Sequence, residues 1–191
     1  MTYCPSIAMI AEECFTEYAL DFPVSQKTTY KIGGNADGAL FPDTANKATA
    51  VVKRLKEEGV PFVFLGNGSN VLISDEGFRG AVVCSERLKG ITVSGKMLTA
   101  LSGEPLSSVI KTALYSSLGG LEFLSGIPAS VGGAVSMNAG CYGKNVGDYV
   151  SYVVTTSGVL PQKDCGFDYR ESVFSVGDDM ILSVCFNLEN V

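Results

Sequence analysis

Phe62-Val63-Phe64-Leu65, followed by Gly66-Asn67-Gly68-Ser69-Asn70, is the stretch on which the fold turns. The four apolar residues read as a buried strand, and the glycines after it let successive backbone N–H groups converge as a nest for an anion such as a diphosphate. Oriented amide dipoles supply the positive potential there, so no lysine is required. A tight turn between that strand and a second one at Val71-Leu72-Ile73 accounts for the same residues without a ligand. The dinucleotide fingerprint of doubly wound sheets is not met. Val71 stands where its third glycine belongs, and no helix follows.

Before this stretch, Ala48, Val51, Val52 and Leu55 recur at helical spacing between a Thr44 or Asp43 cap and a stop at Gly59, which predicts a helix with one packed face. Thr28 to Ile32 and Gly38 to Phe41 read as short strands parted by Gly33-Gly34, and residues 1–20 as an irregular, partly helical leader. After it, Gly80 to Cys84 reads as another strand. A second unit opens with a hairpin, Ile91 to Val93 and Met97 to Leu101. A helix bearing Leu106, Val109, Ile110, Ala113 and Leu114 follows and ends at Gly119-Gly120, and strands are expected at Tyr149 to Thr155 and Met180 to Leu188. The boundary falls near Ser85 to Gly90. Gly90 to Lys96 matches the start of a P-loop by chance: Met97 replaces the magnesium-binding hydroxyl, and the context is a hairpin.

Composition narrows the function classes. Hydrophobic residues make up 46% of the 191 and charged ones 18%, far from the balance of a disordered chain. A net charge of -6 and the lack of any dense Lys/Arg cluster argue against nucleic-acid binding. The charge-poor run from Thr112 to Tyr142 is broken by glycines, Pro128 and Asn138, so no membrane span is expected. Glu12, Glu13 and Glu17 stand where a secretory signal would be apolar, which leads to a cytoplasmic expectation. Six scattered cysteines form no C-x-x-C pair and read as free thiols. The chain has no histidine, which removes Ser-His and Cys-His catalysis and histidyl-linked flavin from consideration.

Two further segments carry candidate chemistry. Gly126-Ile127-Pro128-Ala129-Ser130-Val131-Gly132-Gly133-Ala134 places Pro128 near a helix start and glycines where a backbone can lie against a ligand, with the helix N-terminus open to a second phosphate oxygen. Close packing of a small-residue helix on a sheet is the alternative. In Tyr169-Arg170-Glu171-Ser172, Arg170 can receive a carboxylate bidentately or stabilise a developing enolate, or can be held in a surface pair by Asp168 and Glu171.

Taken together, these residues resemble the UDP-N-acetylenolpyruvoylglucosamine reductase family, also called UDP-N-acetylmuramate dehydrogenase. The resemblance runs through Thr29-Tyr30-Lys31-Ile32-Gly33-Gly34, Leu65 to Leu72 and Gly77-Phe78-Arg79-Gly80. It continues through Gly120 to Pro128, Val131 to Ala134 and Met137-Asn138-Ala139-Gly140, and closes with Asp164 to Phe167 and Tyr169 to Phe174. It covers the chain from about residue 20 onward.

The resemblance implies an α+β fold of two subdomains, of the vanillyl-alcohol oxidase and p-cresol methylhydroxylase type, with non-covalent FAD between them. Residues 1–20 would be the leader, 21–88 the first subdomain and 89–191 the second. It also implies that NADPH reduces the flavin, which then reduces the enolpyruvyl group of a UDP-sugar in peptidoglycan synthesis, with Arg170 stabilising the enol-type intermediate. Implied FAD contacts are Tyr30 with Gly66, Asn67, Gly68, Ser69 and Asn70. Further along they are Gly126, Ile127, Pro128, Ser130, Val131, Gly132 and Gly133, then Asn138 and Gly140. The family's proton-donating serine lies in a C-terminal substrate domain, expected to be absent here, so the chain is expected to be an inactive monomeric fragment. A non-catalytic flavin module or another flavin oxidase on the same scaffold stands as the rival reading.

Overall fold

The computed structural model describes residues 2–191. The chain divides into two compact units, Met1–Arg87 and Leu88–Val191.

The first unit contains α1 (Cys4–Glu13), β1 (Glu17–Pro23), β2 (Asn35–Phe41), α2 (Ala45–Glu57), β3 (Phe62–Leu65) and β4 (Phe78–Cys84). Its sheet runs β1-β2-β4-β3, antiparallel between β1 and β2 and parallel elsewhere. The parallel β2–β3 connection requires a crossover, which α2 supplies. The threonine at position 44 caps α2, its hydroxyl accepting the Lys47 N–H at 3.3 Å. At the other end Gly59, at φ +64°, lets its own N–H reach the Lys56 carbonyl and that of Val60 reach Leu55. This double bond pattern is a Schellman stop, with Val60 and Leu55 buried together. The expected stripe Ala48, Val51, Val52 and Leu55 is buried throughout.

Three sequence expectations are corrected in this unit. The first twenty residues are no separate leader: Ile7, Ile10 and Ala11 of α1 are fully buried, and β1 pairs with β2 from Glu17 onward. Thr28 to Ile32 forms no strand, because Lys31 at φ +58° and Gly33 at φ +108° turn the chain there. Nor do Val71-Leu72-Ile73 form one. They continue the loop that leaves β3, and Leu72 is 67% exposed.

The second unit is built on an antiparallel sheet. Its main elements are β5 (Ile91–Ser94), β6 (Met97–Leu101), α3 (Leu106–Tyr115), α4 (Val131–Ser136), β7 (Val150–Thr155), β8 (Gly158–Pro161) and β9 (Ile181–Asn187), with strand order β8-β7-β9-β6-β5. Leu106, Val109 and Ile110 of α3 and Val131, Ala134 and Val135 of α4 bury their apolar sides in one core with Leu98, Val153, Val184 and Phe186 from the sheet. The third helix ends earlier than Gly119-Gly120. Ser117, at φ +54°, takes the left-handed position that a glycine usually fills.

Candidate functional site

In the first unit the loop after β3 is rich in unspent donors. Among the described residues, no amide from Asn67 through Ile73 donates a hydrogen bond to the protein. Gly68, at φ +65°, lies against the chain, its carbonyl accepting the Thr29 N–H at 2.9 Å; a Cβ there would meet the Lys27 carbonyl oxygen at 2.1 Å. The close approach that requires Gly68 is thus to the protein's own backbone. It also ties the loop to the segment carrying Tyr30, which is exposed, as are Ile32 and Leu72. Gly66 and Ser69 are half-buried, Asn67 and Asn70 exposed. A row of amides wanting acceptors beside exposed apolar and aromatic side chains fits a ligand that combines a diphosphate with a flat ring.

The glycine-rich stretch of the second unit is arranged differently, and the expected open helix N-terminus is corrected. At the start of α4 the Val131 and Gly132 amides donate to the carbonyls of Glu104 and Ser102 at 2.8 Å each, and Gly133 donates to the Ser130 hydroxyl at 3.3 Å. Those donors are spent inside the protein, which leaves the first turn of α4 no amide for a phosphate. Gly132 packs within 2.9 Å of the Ser102 side chain, as the small-residue reading has it. Ser130 and Val131 are buried, whereas Gly126 and Pro128 are exposed and Ile127 is half-buried. Gly126 turns at φ +88° with open space where a Cβ would be. The surface this stretch offers a planar ligand is therefore the corner at 126–128.

Arg170 sits at the tip of a tight turn whose base is closed by reciprocal backbone bonds between Asp168 and Glu171, at 3.0 and 3.2 Å. Its backbone is left-handed, at φ +56°, and its neighbours hold it there. Buried Asn138 donates its side-chain N–H to the Asp168 carbonyl at 2.9 Å and accepts the Gly147 N–H at 3.0 Å. Beyond the turn, the Ser172 and Ser175 hydroxyls both donate to the Ser136 carbonyl at the end of α4, at 2.6 and 2.7 Å. The surface-pair alternative is not realised. Among the described residues Arg170 makes no ion pair or hydrogen bond, and Asp168 instead accepts the Tyr169 N–H at 2.6 Å.

A cavity of about 320 Å³ opens beside Arg170. Three candidates from the sequence, Asn138, Gly140 and Arg170, line it together with Cys141, Gly143, Lys144, Asn145 and Tyr169, which were not among the candidates. Asn138 reaches it as a brace: both ends of its amide are engaged within the protein. Gly140 has no room for a side chain, since a Cβ would stand 2.3 Å from Asn145 Oδ1. The missed residues had a signal in Tyr142-Gly143. Both residues have positive φ, +54° and +76°, and make the two-residue turn of a hairpin that pairs Cys141 with Lys144.

A family profile described as an FAD binding domain matches residues 36–162. The chain belongs to this FAD-binding domain family. In sequence it is 42% identical over 173 residues to the UDP-N-acetylenolpyruvoylglucosamine reductase of Geobacillus kaustophilus, a match covering 88% of this chain and 57% of that protein. The chain thus spans a little over half the length of this relative. In structure it is similar to UDP-N-acetylenolpyruvylglucosamine reductase from Thermus caldophilus, with a TM-score of 0.75 and 29% identity over 92% of this chain and 62% of that one. Glucooligosaccharide oxidase from Acremonium strictum, an enzyme in which a 6-S-cysteinyl, 8α-N1-histidyl FAD has functional roles, shares the fold at a TM-score of 0.71 and 17% identity, covering 97% of this chain and 43% of that one. The fold of this FAD-binding domain is the α+β type of vanillyl-alcohol oxidase and p-cresol methylhydroxylase. With no histidine in the chain, a histidyl link to FAD has no attachment point here.

Proposed function

We propose that the chain is the FAD-binding part of a UDP-N-acetylenolpyruvoylglucosamine reductase. When bound, FAD supplies the two-electron relay by which NADPH reduces the enolpyruvyl group of the UDP-sugar to the lactyl group of UDP-N-acetylmuramate. In the first unit the amides of Asn67 to Ile73 hold the diphosphate beside the exposed ring of Tyr30; in the second, Asn138 and Gly140 shape the neighbourhood of Arg170. Arg170 meets the carboxylate of the enolpyruvyl group and stabilises the charge that develops on it during reduction. One observation carries this reading: an arginine with no partner among the described residues, its turn braced by a buried asparagine, lining a cavity with no acidic residue among those that line it. Chemistry on a nucleotide sugar driven by NADPH accords with a cytoplasmic protein, and a monomer is the state we assign.

Titration of the purified chain with FAD, followed by flavin absorbance and fluorescence, tests the cofactor half of the proposal. Saturable binding is expected, and its absence overturns that half. The reaction half is tested in a longer protein that carries this chain. There Arg170→Ala should leave FAD bound while lowering substrate-dependent turnover by at least tenfold, a scale set by the loss of one charge-stabilising donor. Unaltered turnover returns Arg170 to a structural role.

A further inference from the structure

Lys144 has no part in the reading above, yet it lines the same cavity as Arg170. Its position is fixed by the chain rather than by a partner. The Tyr142-Gly143 turn sets it opposite Cys141, and the next residue, Asn145, donates its N–H to Asp148 Oδ2 at 3.0 Å within a capping box. That bond engages one oxygen of Asp148, and the Tyr169 N–H engages one oxygen of Asp168. Among the described residues Lys144, like Arg170, enters no ion pair. Two cations on separate turns, with no acid in the lining, give the cavity a basic rim in a protein whose net charge is -6. Such a rim favours an anion over a cation as the occupant.

We propose that Lys144 is a second anchoring cation of this cavity and shares with Arg170 one oxyanion group of the substrate. A planar guanidinium engages a carboxylate or phosphate through paired N–H donors, while an ammonium adds a point charge from another direction. The cavity, about 320 Å³, is at the small end of ligand pockets, so it takes a fragment the size of a three-carbon acid rather than a whole nucleotide sugar. Lys144 therefore acts in binding and specificity, with no role in the chemical step. The identity of the substrate rests on the reductase reading, but the presence of an anion site does not.

The test uses the 191-residue chain and follows the amide resonances of Cys141, Lys144 and Arg170 by nuclear magnetic resonance during titration with pyruvate and, separately, with inorganic phosphate. Saturable shifts are expected with pyruvate, weakened about fivefold by Lys144→Met, a discount appropriate to an exposed charge, and largely restored by Lys144→Arg. Saturation by phosphate alone, with the same dependence on Lys144, upholds the site and names a phosphate group as its occupant. Affinity indifferent to Lys144→Met, or no saturation by either anion at tens of millimolar, overturns the proposal. FAD titration of the same samples keeps the two readings apart. Anion binding through both cations without FAD binding upholds this site and defeats the reductase reading, whereas FAD binding with no dependence of anion affinity on Lys144 does the reverse.

Discussion

Asn138 shows how one side chain can set the geometry of another. It is 5% exposed, takes φ +41°, and joins the Asp168 carbonyl to the Gly147 amide across the base of the Arg170 turn. Replacing it by alanine strands the buried Gly147 N–H, takes one of two donors from the Asp168 carbonyl and places a side chain poorly suited to that backbone, so Asn138→Ala should lower unfolding free energy by about 2 kcal/mol in a urea titration. It should also shift the amide resonances of Asp168 to Glu171. A loss of stability without those shifts would mean that the turn holds itself. Cys84 makes a different prediction at the same scale. Burial pushes its thiol up from 9.0 to about 12, because the core cannot solvate a thiolate. The folded chain thus keeps the proton where the unfolded chain loses it. This contribution is complete below pH 9 and declines as pH rises toward 12, by about 1.4 kcal/mol per unit within that window. Cys84→Ala should flatten the alkaline limb of a stability-versus-pH curve, and an unchanged slope would show that other groups cause it.

At the level of elements, glycines with positive φ separate into those pressed by the protein and those facing open space. A Cβ at Gly68 would meet the Lys27 carbonyl oxygen at 2.1 Å, while one at Gly126 would meet nothing within 4 Å. Gly68→Ala should therefore cost more than about 2 kcal/mol, measured by thermal or urea unfolding, whereas Gly126→Ala should cost only the backbone strain, about 1 kcal/mol. Equal costs would contradict the packing at Gly68. The same contrast explains what was legible in the sequence. Helix α2 was readable because its cap, apolar stripe and glycine stop all agree, and β3 because four apolar residues run together. Strand β1 was not. It is an edge strand, exposed along most of its length, and leaves no alternating apolar pattern to read. Val71-Leu72-Ile73 misled in the opposite direction, since three apolar residues in a row signal a strand whether or not a neighbour offers a ladder. The glycine segments could be located but not interpreted. Spacing shows where backbone can come close, and only the hydrogen bonds show that α4 spends its first amides on its own caps while the loop after β3 keeps its own unspent.

For the whole molecule, unspent donors connect the fold to a measurable response to FAD. On the proposed reading, amides from Asn67 to Ile73, which donate no bond within the described protein, gain acceptors when a diphosphate binds, and the unfolded chain, with no such row of donors, gains nothing comparable. Ligand in hundredfold excess over its dissociation constant then adds about 2.7 kcal/mol to the stability of the native state. For a chain of this length that corresponds to a rise in melting temperature of roughly 5–10 °C. Hydrogen exchange gives the rise a location. Exchange of the amides from Asn67 to Ile73 should slow with FAD, whereas that of Val131 to Gly133, already bonded inside the protein, should follow only the global change in stability. Stabilisation by FAD with no added protection at Asn67 to Ile73 would remove this loop from the diphosphate site. The reverse pattern, with selective protection at Val131 to Gly133, would require α4 to surrender its caps to the ligand.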